Sequence, residues 1–328
     1  MAIDILNIQP TVVSRDLRGK YVLLYGKPKS GKTTAATRFP KSLLCAFEKG
    51  YNALGGVKPV DINKWADMKL VLRQLDSAAA KEAYETIIID TVSIAWDACE
   101  QYICAQNGVQ KIADIPWGGG YTACKKEFEN CLRKITQMGY GLVLIAHNST
   151  RIEKTADGSS DVEIIGPELP KRAAEICNGL VDIIGYIGQE YDAQGQSKRY
   201  LYTRETPTLF AGSRYPYLAP KIEFGYTQLI DAIAEAIAKQ EELDGIQVVD
   251  TVQAKVEEKL DFAALRKEAE ELWIKLVTKD ENNAVIILKK IEMIFGRSIK
   301  LSEITEDQVD LMNLAVLDMR DMVVAQGL

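Results

Sequence analysis

The stretch that decides the fold reads Gly26-Lys27-Pro28-Lys29-Ser30-Gly31-Lys32-Thr33-Thr34 and directly follows the apolar run Tyr21-Val22-Leu23-Leu24-Tyr25. It matches the pattern G-x-x-x-x-G-K-[ST], in which glycines let backbone N–H groups turn toward a phosphate. The apolar run predicts a buried strand, and the residues after the second glycine predict a helix over 31–39. A strand, a glycine-rich turn and a helix in that order bind polyphosphates. We therefore expect this stretch to bind a nucleoside triphosphate, with ATP and Mg²⁺ as the ligands.

Two side chains of the motif and one carboxylate have predicted roles in that site. Lys32 would contact the β- and γ-phosphates, and the Thr33 hydroxyl would ligate Mg²⁺. The run Ile87-Ile88-Ile89-Asp90 predicts a second buried strand with a carboxylate at its C-terminal end. There Asp90 would hold a water on Mg²⁺; the alternative is that it only caps the following helix.

ATP hydrolysis also requires a base that activates the attacking water. Many ATPases have a carboxylate directly after the metal-binding aspartate, but here the residue after Asp90 is Thr91. The segment Leu44-Cys45-Ala46-Phe47-Glu48 offers a carboxylate after another predicted strand at the same edge of the sheet. We expect Glu48 to orient and deprotonate the attacking water. The alternative is a solvated loop residue or an ion pair with Lys49.

The single histidine, His147, follows a third apolar run at 142–146. In that place a side chain can hydrogen-bond the terminal phosphate and relay its presence to the loop that follows. We expect this sensor role, and the alternative is a packed structural histidine.

Composition restricts the protein class. The 328 residues are 47% hydrophobic and 26% charged, which suits one large or two modest globular domains. No apolar run reaches membrane-spanning length, the six cysteines form no C-x-x-C pair, and one histidine makes a zinc site improbable. These features predict a cytoplasmic protein with reduced core cysteines and no membrane partner. The net charge of −6 is uneven, since residues 1–230 carry +3 and residues 246–328 carry −5.

Alternating strand and helix patterns predict an α/β fold with a mainly parallel sheet and appended β-hairpins. The predicted strands are 21–25, 42–47, 86–90, 141–146, 180–188, 198–204 and 207–211, and the helices are 31–39, 92–106, 121–138 and 227–242. We predict an ATP-binding domain over 1–242, a linker over 243–257 and a small acidic helical domain over 258–328. That domain would contain helices at 262–277, 281–295 and 304–324, with Asp261 and Ser302 as N-caps. We expect its core to be apolar side chains at helical spacing: Leu265, Leu272, Ile274, Leu276, Ile286, Ile287, Ile291, Ile294, Leu311, Leu314, Leu317 and Met322.

Together these motifs resemble the RecA-type P-loop ATPase core over roughly residues 18 to 242. The runs Cys45-Ala46-Phe47-Glu48 and Ile88-Ile89-Asp90-Thr91-Val92 are similar to the strands that carry the glutamate and the metal-binding aspartate in that family. One departure is His147, where bacterial RecA has glutamine and some hexameric helicase relatives have histidine. Size, the short N-terminus and the added C-terminal helices resemble phage Sak-type single-strand annealing and recombination proteins, often described as phage nucleotide-binding proteins. A phage protein would act in the host cytoplasm.

The resemblance implies two DNA-binding loops. Residues 107–121 fall at the first, where Lys111, Trp117 and Tyr121 lie beside three glycines, and aromatic side chains could stack on bases. Residues 151–171 fall at the second, which has a net charge near zero, so phosphate contacts there would be local and salt-sensitive. The basic candidates in and just after it are Arg151, Lys154, Lys171 and Arg172. The alternative is that both are ordinary mobile loops, with Trp117 packed on a neighbouring element.

RecA-type sites also form between subunits, so the resemblance implies a homo-oligomeric ring or filament in which a basic residue completes the neighbouring site. The candidates are Lys198, Arg199, Arg204 and Arg214, with Arg214 preferred because it lies in a turn. The acidic C-terminal helices could dock a replication or single-strand-binding protein, although a simple packed bundle is the plainer interpretation.

These observations predict a slow, Mg-dependent and possibly DNA-stimulated ATPase that acts on single-stranded DNA in recombination or annealing. Two alternatives stay open. One is a helicase-like DNA motor or loader of the same fold, and the other is a nucleotide-gated protein scaffold whose ATP hydrolysis is incidental.

Overall fold

The computed structural model of the protein describes residues 13–14, 20–154, 161–191, 194–246, 248–249 and 260–328. These residues fall in two compact units, one within 10–255 and the other within 256–328. The first unit holds the nucleotide-binding motif. The predicted linker over 243–257 lies largely outside the described residues.

The first unit alternates strands and helices along the chain. Its strands are β1 (Val13–Ser14), β2 (Tyr21–Gly26), β3 (Ser42–Ala46), β4 (Pro59–Asp61), β5 (Thr86–Asp90), β6 (Gly141–Ala146), β7 (Asn148–Lys154), β8 (Asp161–Pro167), β9 (Ile183–Tyr191), β10 (Ser197–Tyr202), β11 (Gly212–Ser213), β12 (Lys221–Glu223) and β13 (Val248–Val249). Its helices are α1 (Lys32–Ala36), α2 (Trp65–Leu75), α3 (Ala78–Ala83), α4 (Val92–Gln106), α5 (Gly119–Gln137), α6 (Lys171–Leu180) and α7 (Tyr226–Asp244).

The main sheet has the strand order β12-β10-β9-β2-β6-β5-β3-β4, with β11 also pairing β9. The six neighbours from β9 to β4 are mutually parallel, whereas β10, β11 and β12 add antiparallel pairs at one end. The strand of the nucleotide-binding motif is thus separated from the Asp90 strand by β6. This is the mainly parallel α/β sheet of a P-loop NTPase core, as the sequence predicts.

Both faces of the central strands are buried, because helices cover the sheet on each side. Along β2, the side chains of Leu23 and Tyr25 join one hydrophobic cluster, and those of Val22 and Leu24 join the other. Every residue of β5 and β6 is buried. The continuous apolar runs in the sequence therefore correspond to strands that are covered on both faces, and not to strands with one exposed face.

Register places the strand ends at one edge of the sheet. Asp90 pairs in register with Ala46 of β3 on one side and with Ile145 of β6 on the other. Glu48 and His147 each follow those partners by two residues. The fold therefore places both of them beside Asp90.

Several predicted elements differ from the structure. The helix expected over 31–39 ends at Ala36, and Pro40 disfavours helical geometry at Phe39. The segment expected as a hairpin strand at 180–188 is β9, which pairs in parallel with β2 as well as antiparallel with β10. The strand expected over 207–211 is absent from this described segment, where Leu209 makes only isolated bridges. In the described part of the expected second loop, β7 pairs antiparallel with β8, and these two strands are called the β7–β8 hairpin below.

The second unit is a bundle of α8 (Phe262–Lys279), α9 (Asn282–Phe295) and α10 (Val309–Ala325). Asp261 caps α8 as predicted, since its Oδ1 accepts hydrogen bonds from the N–H groups of Ala263 and Ala264 at 2.9 and 3.1 Å. Ser302 is not an N-cap: it lies within a short 3-10 turn, and α10 begins only at Val309.

The core of this bundle contains only part of the predicted set. Leu265, Leu276, Ile287, Ile291 and Met322 are buried as expected. Ile274, Ile286 and Leu314 are instead exposed, because helical spacing alone does not say where the neighbouring helix packs. Within the described part of the chain no helix is long and apolar enough to cross a bilayer. All six cysteines are buried and unpaired.

Candidate active site

The loop between β2 and α1 is shaped by its two glycines. Gly26 has φ 159° and approaches β9 so closely that a Cβ there would lie 2.8 Å from the Ile187 carbonyl oxygen. Gly31, which precedes the first helical residue, has φ 95°. Only glycine adopts such angles without strain. The remaining loop residues Lys27, Pro28 and Lys29 are exposed, and Ser30 is half-buried.

Lys32 is buried below this loop, and its Nζ donates hydrogen bonds to the carbonyl oxygens of Gly26 and Lys27 at 2.9 Å each. Burial lowers the pKa of its ammonium group, whereas the negative charges of Asp90 and Glu48 raise it. The loop therefore holds a positive charge under its concave side. A positive charge in this position can bind the oxygen atoms of a phosphate group.

Thr33 and Asp90 meet at the floor of the site, where Thr33 Oγ1 donates to Asp90 Oδ2 at 2.6 Å. The Asp90 carboxylate is buried. Burial raises its pKa above the ordinary value, and the hydrogen bond from Thr33 opposes that shift. Thr34, the next residue of the motif, is exposed on α1.

Glu48 and His147 flank Asp90 and contact each other. His147 Nε2 lies 3.2 Å from Glu48 Oε2, and because a carboxylate only accepts, we assign the ring proton to Nε2. His147 Nδ1 is buried and has no hydrogen-bond partner among the described residues. The carbonyl oxygen of Asp90 accepts hydrogen bonds from the N–H groups of Phe47 and Glu48 at 2.7 and 3.0 Å. The backbone thus fixes where the Glu48 side chain begins.

The residues present fit a magnesium ion that is bound together with a phosphate ligand. Thr33 and Asp90 bring one hydroxyl and one carboxylate together. The described residues contain no group of three or more His, Cys, Asp or Glu side chains that could cage a metal alone. Mg²⁺ commonly binds through one or two protein oxygens, with water and substrate phosphates completing its coordination. The half-buried Ser30 hydroxyl, which lacks a hydrogen-bond partner among the described residues, adds a further polar group in the cradle.

Arg199, predicted as a candidate to act on a neighbouring subunit, lies at the phosphate loop of its own chain. Its Nη1 donates to the Ser30 carbonyl oxygen at 2.9 Å, and its guanidinium lies 5.8 Å from the Phe224 ring centroid. A Cβ at position 31 would come within 2.6 Å of the same Nη1. Arg199 therefore forms one wall of this chain's own site.

The other three basic candidates lie away from the loop or contact other groups. Arg214 donates to the carbonyl oxygens of Gly179 and Leu180 and to Asp182 Oδ1, at 2.6, 3.3 and 3.0 Å, so it fastens the end of α6. Arg204 Nη2 reaches the Pro216 carbonyl oxygen at 3.3 Å. Lys198 is exposed on β10.

The predicted first DNA loop contains two short 3-10 turns, Ile112–Asp114 and Pro116–Gly118. Trp117 is fully exposed, so the alternative in which it packs on a neighbouring element is wrong. Its φ of 60° is left-handed, which costs a non-glycine residue about 1–2 kcal/mol. Lys111 is exposed just before the first of these turns.

The two predicted DNA segments meet at α5 and α6. The guanidinium of Arg172 lies 4.5 Å from the ring centroid of Tyr121, and Lys125 Nζ lies 2.9 Å from Glu175 Oε2. Lys171 is exposed at the start of α6. The structure thus brings Tyr121 and Arg172 together although they are far apart in the sequence.

The hairpin that follows His147 carries the remaining candidates. Arg151 pairs with Glu153 at 2.8 Å and lies 5.6 Å from the Phe210 ring centroid, and Lys154 is exposed near the tip. Residues 155–160, which the sequence analysis included in this segment, lie outside the described residues. The amide of Glu168 donates to the His147 carbonyl oxygen at 2.8 Å, so the hairpin returns to the site.

Sequence reasoning missed two features. It assigned separate roles to Glu48 and His147 and did not pair them, although both lie within two residues of the end of their strands. It also missed the wall formed by Arg199, Phe224 and Tyr226, because that wall depends on how β10 and the β12–α7 connection fold back toward the loop.

The match to a protein family supports the nucleotide-binding fold. Residues 18–215 match the family model described as AAA domain. The SPbeta prophage-derived uncharacterized protein YorG of Bacillus subtilis (strain 168) is 32% identical over 332 residues, covering 98% of this chain and 99% of that protein. The solved structure of the flagellar accessory protein FlaH from Methanocaldococcus jannaschii matches with a TM-score of 0.33 and 13% identity, covering 63% of this chain and 85% of that one.

Proposed function

This chain belongs to the AAA domain family, whose P-loop core implies a nucleotide-binding ATPase, and on that premise we propose an Mg-dependent ATPase of phage type that acts on single-stranded DNA. The observation that carries the ATPase part is the convergence of Lys32, Thr33, Asp90, Glu48 and His147 at one edge of the sheet.

Each of these side chains has a definable task in ATP hydrolysis. Lys32 neutralises charge on the β- and γ-phosphates. Thr33 and Asp90 would hold Mg²⁺, which would neutralise charge on the phosphate oxygens. Glu48 accepts the proton of the attacking water, and its hydrogen bond to His147 orients the carboxylate. His147 in turn is linked through its carbonyl oxygen to the β7–β8 hairpin, which gives the phosphate state a route to that hairpin.

The DNA part of the proposal rests on Trp117. Trp117 combines a fully exposed ring with a left-handed backbone angle, and strained residues of this kind cluster at ligand-binding sites. Stacking on an unpaired base would supply about 1–3 kcal/mol. Tyr121 and the adjacent guanidinium of Arg172 extend the same surface with a second ring and a positive charge. We assign this surface to single-stranded DNA.

The similarity to a prophage-derived protein supports a phage origin, and we propose that the protein acts in phage strand annealing or recombination in the host cytoplasm. We further propose assembly into a ring or filament, with Lys198 as the basic residue that contacts the neighbouring protomer. Among the four predicted candidates it is exposed on β10, whereas Arg199 and Arg214 contact groups of their own chain. The C-terminal helices are then available to bind a replication or single-strand-binding protein.

The test is a fluorescence anisotropy titration with a labelled single-stranded oligonucleotide, with and without Mg-ATP. The full chain is compared with Lys32→Ala, Trp117→Ala and a matched control, Leu70→Ala, which removes an exposed apolar side chain from α2. We expect Trp117→Ala to weaken DNA binding by about five- to hundredfold. Lys32→Ala should abolish the response to ATP, and Leu70→Ala should change nothing.

Two outcomes would contradict the proposal in different parts. Equal DNA binding by the full chain and Trp117→Ala would remove the DNA assignment. ATP hydrolysis that persists in Lys32→Ala would refute the assignment of the ATPase site to the phosphate loop. Displacement of a paired strand, driven by ATP, would instead favour the helicase-like alternative over annealing.

A further inference from the structure

A pocket of about 190 Å³ opens beside the phosphate loop, on the side toward α1. Eight residues line it: two arginines, two aromatic residues, one threonine and three small residues. Those with functional side chains are Thr34, Arg38, Arg199, Phe224 and Tyr226. All of them lie in the first unit of the chain.

This pocket is continuous with the loop that is proposed to hold the phosphates. Gly31 lines it, and Arg199 both lines it and donates a hydrogen bond to the Ser30 carbonyl oxygen. Thr34 lies one residue beyond Thr33. A nucleoside whose phosphates occupy the loop can therefore place its sugar and base in this pocket.

Flat, rigid groups form the pocket wall. The Arg199 guanidinium lies 5.8 Å from the Phe224 ring centroid, and the Tyr226 ring packs edge-on against Phe39 with centroids 5.1 Å apart. Guanidinium groups and aromatic rings attract nucleobases through stacking, which does not depend on the identity of the base.

The side chains of the pocket include no carboxylate or amide to select one purine, and its guanidinium groups can donate to N7, which adenine and guanine share. Its side chains offer two guanidinium donors and the hydroxyls of Thr34 and Tyr226, but no carboxylate and no amide. Recognition of guanine through its N1–H and amino group requires an acceptor such as a carboxylate. Recognition of the adenine amino group also requires an acceptor, and the side chains supply only hydroxyl oxygens.

We propose that this pocket binds the base of the nucleoside triphosphate by stacking on Arg199 and the 224–226 segment, and that it accepts ATP and GTP with similar affinity. The inference rests on the proposed function, because it requires the phosphate loop to bind a triphosphate. It assigns Arg199 to the nucleoside of its own chain rather than to a neighbouring subunit.

The experiment compares three ligands by isothermal titration in Mg²⁺ buffer: ATP, GTP and inorganic tripolyphosphate, which lacks a base. The full chain is measured beside two variants, Arg199→Ala and Arg199→Met. The methionine variant keeps a long side chain at this position of β10, in case the alanine variant does not fold. Arg133→Ala is the matched control, since Arg133 pairs with Glu129 on the surface of α5.

We expect ATP and GTP dissociation constants within about tenfold of each other, because stacking does not depend on the base. Both Arg199 variants should weaken ATP and GTP by about tenfold or more, and tripolyphosphate by less than about twofold. Arg133→Ala should bind all three ligands like the unmodified chain.

Three results would overturn the inference. An equal loss of tripolyphosphate affinity in the Arg199 variants would make Arg199 a phosphate contact. A preference of a thousandfold for either purine would show that a specific polar contact, and not stacking, selects the base. Absence of binding by all three ligands, tripolyphosphate included, would refute the proposed function and this inference with it, whereas binding of tripolyphosphate with no gain from a base would refute the inference alone.

A second pocket, of about 170 Å³, lies on the other side of Arg199 and includes Tyr191 and Gln189. If the base occupied that pocket instead, Tyr191→Ala would weaken ATP and GTP as strongly as Arg199→Ala. We expect Tyr191→Ala to leave both affinities unchanged.

Discussion

His147 Nε2 and Glu48 Oε2 lie 3.2 Å apart, although the two residues are separated by 99 positions in the chain. Each follows a strand that flanks β5, and the in-register pairing of those strands brings the side chains together. The pair gives Glu48 a hydrogen-bonded orientation beside Asp90. A general base that is held in this way can act on a water without first losing side-chain freedom.

Replacing the proposed base should separate hydrolysis from binding. We expect Glu48→Gln to lower kcat for ATP hydrolysis by about 10²–10⁴-fold, since amide groups do not accept the water proton. ATP affinity should change little, because the phosphate loop is intact. A steady-state phosphate-release assay and an ATP titration measure the two effects, with Glu129→Gln on the surface of α5 as the control. Unchanged hydrolysis in Glu48→Gln would assign the base elsewhere.

A double-mutant cycle tests how His147 acts. If it orients Glu48, His147→Ala should lower kcat by about tenfold in the unmodified chain and have almost no effect in the Glu48→Gln background. If instead it contacts the γ-phosphate as a sensor, the loss should persist in that background. In the sensor case the affinity for ATP should also fall relative to ADP. The hydrogen bond to Glu48 favours the first outcome.

A half-buried carboxylate in the first unit, Glu127, makes stability depend on pH. Trp65 Nε1 and Lys69 Nζ both donate to Glu127 Oε1, at 2.9 and 2.8 Å. Burial raises the pKa of Glu127, but these hydrogen bonds outweigh it and hold the pKa below the ordinary value. The resulting stability is therefore present above the unfolded-state pKa of about 4.3 and is lost as the pH falls through the lower folded-state pKa.

Glu127→Gln should accordingly reduce the free energy of unfolding by about 1–2 kcal/mol at pH 7, and by less near pH 4. Urea unfolding at several pH values measures the difference. Glu129→Gln, two residues away in an exposed pair with Arg133, should show almost no effect at either pH. A Glu127→Gln effect that is equal at pH 4 and pH 7 would contradict the role of the charge.

The helical unit offers a matched pair of leucines for a packing test. Leu276 is completely buried, whereas Leu314 is 50% exposed. Leu276→Ala should destabilise the unit by about 2–5 kcal/mol, and Leu314→Ala by less than about 1 kcal/mol. Thermal unfolding followed by circular dichroism distinguishes the two variants. Similar losses for both would mean that Leu314 is covered in solution.

The sequence was sufficient for the parts of the fold that local pattern determines. The phosphate loop, the helix Val92–Gln106 and the strand Gly141–Ala146 occupy the predicted places, because continuous apolar runs and glycine positions encode them directly. The same reasoning predicted β9 as a hairpin strand only. Its parallel pairing with β2 is a long-range contact that its own residues do not encode.

In the candidate active site, too, some features were predictable from local sequence and others depend on long-range contacts. Strand-end positions predicted that Lys32, Thr33 and Asp90 would converge, since parallel strands share one carboxyl edge. They could not predict that Arg199 reaches the loop of its own chain, because that contact requires the antiparallel pairing of β10 with β9. For the exposed Trp117, local glycines predicted accessibility, but the left-handed angle is visible only in three dimensions.

The carbonyl oxygen of Asp90 accepts the main-chain N–H groups of Phe47 and Glu48. Consequently the spacing between Asp90, the proposed metal ligand, and Glu48, the proposed base, is set by backbone hydrogen bonds and not by a contact between their side chains. Substitutions among the apolar residues of β3 and β5 can change the packing of the interior without altering the spacing of Asp90 and Glu48. Catalytic spacing and interior composition can therefore evolve independently in this protein.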